Sequence, residues 1–247
     1  MNDYTKYQIT ENYSYFIPSK HIEFKTLSNL NFSSWTNNVA KQIEVRIENY
    51  DNSDKPSKEQ IDILNFVVDN QNEIISNIFQ YYLNVILPVY KVAIDIDETE
   101  IAHSVNDLSV VFGIKAVEIP QLKNTKSIYY QIQFDFQYDN EHGLFILFDK
   151  TKPIDFFGMG DQSYEAIKLF EDGLKNENGE PLNFNLYLLD GQTVFQKKCY
   201  FDEKIDFSIL QGTYRTDIYV NRSQTCRNFY VPNDLTTFSM KEILTHK

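Results

Sequence analysis

The chain is short of the residues that most often announce a site. Its 247 residues hold two cysteines, Cys199 and Cys226, without a CxxC spacing and without a histidine beside either. That removes the ligand pattern of a structural zinc site, and two reduced, mostly buried thiols are expected rather than a disulfide. Glycine (8) and proline (7) are scarce, and no GxGxxG, P-loop or GxSxG pattern occurs, so nucleotide cradles and nucleophile elbows have no support. No stretch approaches the roughly 18 apolar residues of a membrane helix. The opening "MNDYTKYQIT" has neither the basic region nor the apolar core of a signal peptide. A cytoplasmic location with no membrane partner is the expectation. Positive charge is scarce too: 23 Lys and Arg stand against 35 Asp and Glu, a formal charge of -12. With the basic residues scattered, nucleic acid is a poor partner, and a basic protein is easier to accommodate.

What the chain has in abundance is aromatic and β-branched sequence. Nineteen Phe and 17 Tyr sit within a 42% hydrophobic composition, enough for a folded core and typical of sheet packing. Residues 1 to 40 are polar and Asn-rich, with Trp35 as the expected anchor to the core. "KQIEVRIEN" alternates Ile43, Val45 and Ile47 with charges, the period of a half-exposed strand. Ser57 and Gln60 form a capping box after Pro56, and Ile61, Leu64 and Val68 follow at helical spacing. A second helix carries Ile74, Ile78 and Tyr82 on one stripe, and Pro88 predicts its kink or end. Gly113 is expected to end a short helical turn, and Pro120 to close the strand "IKAVEI".

"SIYYQIQFDFQYD" is the clearest strand, with Tyr130, Ile132, Phe134 and Phe136 on one face and Gln131, Gln133 and Asp135 on the other. "DNEHG" and "KTKP" turn the chain into an antiparallel meander. After the polar stretch 171–181, Asp190 and Gly191 suit a type I′ turn in a second hairpin. "KIDFSI" and "TDIYVNR" add strands and "TFSMKEIL" a short helix. The expected fold is α+β, with N-terminal helices (about 57–87) packed on a mainly antiparallel sheet (strands about 114–159) in a domain 1–170. A linker 171–181 and a β-rich region 182–247 follow.

"VAIDIDETE" spells an aspartate-nucleophile phosphatase motif. Here it resembles the haloacid-dehalogenase-like phosphatases, a resemblance that assigns Asp95 the attack on phosphorus and Asp97 the acid and base roles beside Mg²⁺. Those enzymes place the motif at the end of a parallel strand, whereas the sequence that follows reads as an antiparallel meander. Position 100 is Glu where an apolar residue is usual, and the downstream acid Asp161 has no acidic neighbour. The competing reading takes Asp95, Asp97, Glu98 and Glu100 as solvated charge, part of a face for a basic partner. In "DNEHG", Asp139, Glu141 and His142 are too close along a tight turn to converge on one ion. They read as a structural turn, with Asp139 and Glu141 available to the same acidic face. His21 and His103 are isolated. No catalytic, cofactor or metal set is expected.

The segment "FQYDNEHGLFILFDKTKPIDFFGMGD" (136–161) resembles the hairpin of a bacterial family, the domain of unknown function numbered 6985, and the order of the preceding elements is similar from about residue 24 to 165. The family brings no catalytic residues to carry over. Small acidic domains of this kind look like immunity proteins, so the resemblance implies a non-enzymatic protein that neutralises a cognate toxin or effector by direct binding. The alternatives are the Mg²⁺-dependent phosphatase and a ligand-binding or scaffold module lined by aromatics. The oligomeric state stays open.

Overall fold

The computed structural model describes residues 3–10, 13–32, 42–158 and 178–245 apart from 221–222, together with 167, 171 and 173. Trp35 and Asp161 lie outside the described residues. The chain is mostly β. Thirteen strands form three sheets among the described residues, and the 26% of helix is split into short pieces. The expected α+β arrangement of helices packed on a sheet is therefore corrected. Part of the reason lies in the polar N-terminus, which folds as a hairpin of β1 (Tyr4–Thr10) and β2 (Tyr13–Pro18). β1 is largely exposed, so it carries no apolar stripe that would mark it as strand. No helix among the described residues is long and apolar enough to cross a membrane.

The chain divides into two units, residues 1–79 with 97–163 and residues 80–96 with 164–247. In the first, seven strands lie side by side in chain order: β1, β2, β3 (Glu44–Asn49), β4 (Phe112–Ile119), β5 (Tyr129–Phe136), β6 (Leu144–Asp149) and β7 (Lys152–Phe157). Every neighbouring pair is antiparallel except β3 and β4. That pair has the long, partly helical connection a parallel crossover needs. It begins with α1 (Lys58–Asp69), whose Ser57 cap accepts from the Gln60 amide at 3.1 Å while Gln60 accepts in return from the Ser57 amide at 3.1 Å. Gln60 also donates to the Glu48 carbonyl at 2.8 Å, which ties the start of the helix to β3.

The alternation in β5 holds. Tyr130, Ile132, Phe134 and Phe136 are fully buried, and Tyr130 stacks on Phe148 of β6 at 4.9 Å. Burying each such ring removes apolar area worth about 1.5–3 kcal/mol from water. Gly113 does not end a helical turn; it lies inside β4. A Cβ there would meet the Phe32 carbonyl oxygen at 1.6 Å, because the segment around Asn31 bridges directly to it. The glycine is required by close backbone approach rather than by a turn.

The helical run continues through α2 (Gln71–Tyr81), a π turn (Tyr82–Ile86) and α3 (Leu87–Ala93). Pro88 is the cause of the irregularity. It has no N–H for the Asn84 carbonyl four residues back, and the Thr213 hydroxyl donates to that oxygen instead. Thr213 belongs to the second unit's main sheet, ordered β12 (Ser223–Val231), β11 (Gly212–Val220), β8 (Leu182–Leu188) and β9 (Thr193–Cys199). A second, two-stranded sheet pairs β10 (Ile205–Ile209) with β13 (Leu235–Phe238), and α4 (Met240–Thr245) follows. Their core gathers Phe184, Leu186, Ile218, Phe229, Phe238 and Met240. The β8–β9 hairpin forms as expected, but its turn is not type I′. Only Gly191 takes a positive φ, 89°, and Leu188 both accepts from the Gly191 amide and donates to the Gln192 carbonyl. This is a three-residue loop with glycine in the left-handed position.

Candidate functional site

Residues 92–94 do not form the strand that the phosphatase spelling needs. Val92 and Ala93 complete the last turn of α3, and Ile94, which ends it, is extended. Val92 and Ile94 are 54% and 42% exposed, so the apolar run before Asp95 is not a buried strand. Asp95 therefore follows a helix, and its side chain is exposed. Asp97 has a local task. Its carboxylate accepts from the Thr99 amide at 2.8 Å and the Thr99 hydroxyl at 2.6 Å, and Glu100 accepts from the Asp97 amide at 3.3 Å. The pair caps the 3-10 turn Glu98–Glu100. The Thr99 hydroxyl and then its N–H hold the Asp97 carboxyl below the usual aspartate range.

The second acidic turn is built on Asp139. Its side chain accepts from the His142 amide at 3.2 Å and lies 3.0 Å from His142 Nδ1, while its carbonyl accepts from Gly143 N at 2.9 Å. Gly143 has φ 72°, and a Cβ on it would come within 2.4 Å of the Phe134 carbonyl oxygen. Glu141 is exposed at the tip. The two acidic segments meet in the first unit. Gln137 donates to Glu100 Oε1 at 2.9 Å, and the Tyr138 hydroxyl donates to the Glu100 carbonyl at 2.9 Å. Asp97, Glu98 and Glu100 are thereby set beside the Asp139–Glu141 turn, while Asp95 falls in the second unit. The basic groups in the two turns are imidazoles: His103 stands 3.6 Å from Glu98, and His142 pairs with Asp139. Among the described residues no three His, Cys, Asp or Glu side chains converge to hold a metal ion.

Sequence reasoning passed over a third feature. Arg46 on β3 reaches Glu44 at 2.6 Å, Glu118 of β4 at 2.8 Å and Gln133 of β5 at 3.2 Å, while Gln131 donates to the other oxygen of Glu118. Burial works against the Arg46 charge, but the hydrogen bonds and fields of Glu44 and Glu118 outweigh it and raise its pKa. The alternation of Glu44 and Arg46 was visible as the polar side of a strand. Their partners on β4 and β5 were not, since they depend on sheet order. An open cleft of about 320 Å³ adjoins this network, with Lys20 and Glu44 among its walls.

Both thiols are free. Cys199 is buried and Cys226 exposed. Cys226 Sγ donates to Asp217 at 2.6 Å on the facing strand. Burial, then that hydrogen bond and the Asp217 charge, push the Cys226 thiol up to about 11. Because the shift favours the neutral thiol, alkylation by iodoacetamide is expected to stay slow at neutral pH and to climb with a midpoint near 11. A pH–rate curve with its midpoint near the ordinary thiol value of about 8.5 would contradict this.

The family model for DUF6985, a domain of unknown function, matches residues 22–163. No curated protein and no solved structure matches significantly.

Proposed function

Since the chain belongs to the DUF6985 family, whose function is itself unknown, we propose from its own residues that it is a non-enzymatic binding protein. Specifically, it acts as an immunity protein that neutralises a basic cognate toxin or effector by direct contact. The observation that carries this reading is the meeting of two acidic segments at one place in the first unit, fixed by the bonds from Gln137 and Tyr138 to Glu100. Asp97, Glu100 and Asp139 are held by local hydrogen bonds, so the backbone beneath the charges is set in advance. Glu98 and Glu141 project into solvent and are the groups a basic partner meets first. Charges at such a rim accelerate association and discriminate between partners more than they add to affinity. A bacterial, cytoplasmic setting belongs to the same proposal.

Co-expression with the product of the neighbouring gene tests it. A complex that co-purifies at low salt and weakens as ionic strength rises is expected, because exposed charges are screened over about 10 Å at 0.1 M salt. No complex at any salt concentration would overturn the reading.

A further inference from the structure

The polar stretch before β8 holds a pair of residues that the acidic face leaves unused. Asn178 is followed by Gly179, and asparagine precedes glycine nowhere else in the chain. Both residues are exposed. Gly179 takes φ 72°, and a Cβ built on it would meet nothing within 4 Å, so no neighbouring group crowds this peptide. The Asn178 side chain does not simply extend into water. Its Oδ1 accepts from the Glu180 amide at 3.2 Å, which folds the carboxamide back over the two peptides that follow. Gly179 N lies within the ring that this hydrogen bond closes, and is thereby kept on the side of Asn178 Cγ, the carbon to which it can bond. The same hydrogen bond puts an N–H donor on the oxygen where negative charge gathers when a nucleophile adds to that carbon, the role donors play in an oxyanion hole.

We propose that Asn178 is a site of spontaneous deamidation. Solvent hydroxide removes the Gly179 amide proton, and the nitrogen attacks Asn178 Cγ. The new N–Cγ bond closes a succinimide as the Cγ–Nδ2 bond breaks, and Nδ2 leaves as ammonia after taking a proton from water. Water then opens the ring. Cleavage of the N–Cγ bond gives aspartate. Cleavage between Gly179 N and the main-chain carbonyl carbon of residue 178 gives isoaspartate, in which the backbone runs through Cβ and Cγ. Nothing is oxidised or reduced, and either product replaces a neutral amide by a carboxylate. The chain thus ages into a form with one more negative charge, just ahead of the buried Leu182 that opens β8.

A second turn supplies the comparison. Asp190 accepts from the Gln192 amide at 2.9 Å and precedes Gly191 at φ 89°, the same arrangement with a carboxylate in place of the amide. A carboxylate carbon is electron-rich and has no ammonia to expel, so Asp190 is expected to stay unchanged. Asn183 is exposed as well, but its backbone is fixed in β8 and Phe184 follows it.

The test stores the full chain in warm, mildly alkaline buffer and follows the tryptic peptide 176–197, which holds Asn178, Asn183, Asn185 and Asp190, by mass spectrometry. The mass gain of an amide-to-acid conversion is expected at residue 178, with the peptide splitting into aspartyl and isoaspartyl forms at a rate that rises in proportion to hydroxide. Because the Glu180 hydrogen bond belongs to the fold, the native chain reacts at least as fast as the chain unfolded in guanidinium chloride. Asn178→Gln, whose longer side chain would have to close a six-membered ring, loses the one-charge acidic shift on isoelectric focusing. No conversion at residue 178, conversion of Asn183 or Asn185 at an equal rate, slower reaction in the native chain, or an acidic shift undiminished in Asn178→Gln would each overturn the assignment. None of these outcomes bears on whether a neighbouring gene product binds, so the two readings fail separately.

Discussion

Gly113→Ala is expected to destabilise the first unit more than a methyl group added at any other described glycine. The new Cβ would lie 1.6 Å from the Phe32 carbonyl oxygen and would have to displace backbone, because its neighbour is not the end of a flexible side chain. The Phe32 amide bonds the Phe112 carbonyl at 3.2 Å, and the Ile114 amide bonds the Leu30 carbonyl at 2.9 Å. Opening the gap breaks both. Overpacking of this severity costs about 3 kcal/mol or more, which for a chain of this size lowers the melting temperature by about 6–12 °C. A melting curve unchanged within about 2 °C would mean that the segment around Asn31 does not hold this contact in solution.

Phe184→Ala is the corresponding test in the second unit. Phe184 is fully buried in β8, with ring contacts to Phe195 at 6.1 Å and Phe238 at 6.4 Å, and so joins the main sheet to the segment leading into α4. Removing the ring leaves a cavity that the flanking strands cannot close, at a cost of about 3–5 kcal/mol. Urea unfolding followed by near-ultraviolet circular dichroism should show a lowered midpoint. A loss below about 1 kcal/mol would mean that this core repacks freely.

These two positions also show what the sequence could and could not disclose. Ser57 with Gln60 marks the start of α1 because a capping box is local, and the alternation from Tyr130 to Phe136 marks β5 because one sheet face is apolar. Pro88 announces an irregularity for the same local reason. Gly113 lies in β4 rather than at a helix end because its constraint comes from Phe32, distant in sequence, and no local pattern encodes that approach. β1 leaves no mark in the sequence because an exposed edge strand has no buried face to set a period. The α+β expectation fails on this point and on the brevity of the helices, since capping and periodicity make helices over 57–87 conspicuous whereas exposed strands carry weak local patterns. In the candidate site, each acidic segment was legible alone. Their meeting through Glu100 depends on two side chains of the β5–β6 connection, Gln137 and Tyr138, and could be seen only in three dimensions.

The same geometry gives the "VAIDIDETE" segment a different meaning from its spelling. Asp97 is an N-cap whose contribution is present above the ordinary aspartate pKa and is lost as pH falls through its lowered value in the folded state. Asp95 follows a helix. Neither position supplies the strand end on which an aspartyl nucleophile is normally presented.

The measurement that bears most directly on the central claim is survival of cells expressing the neighbouring gene product, with and without this chain, alongside the variant Glu98→Lys/Glu141→Lys. The account predicts protection by the unaltered chain and weakened protection by the variant, whose substitutions are exposed and leave the caps at Asp97 and Asp139 in place. Absence of protection, or Mg²⁺-dependent hydrolysis of an aryl phosphate that disappears in Asp95→Asn, would contradict it.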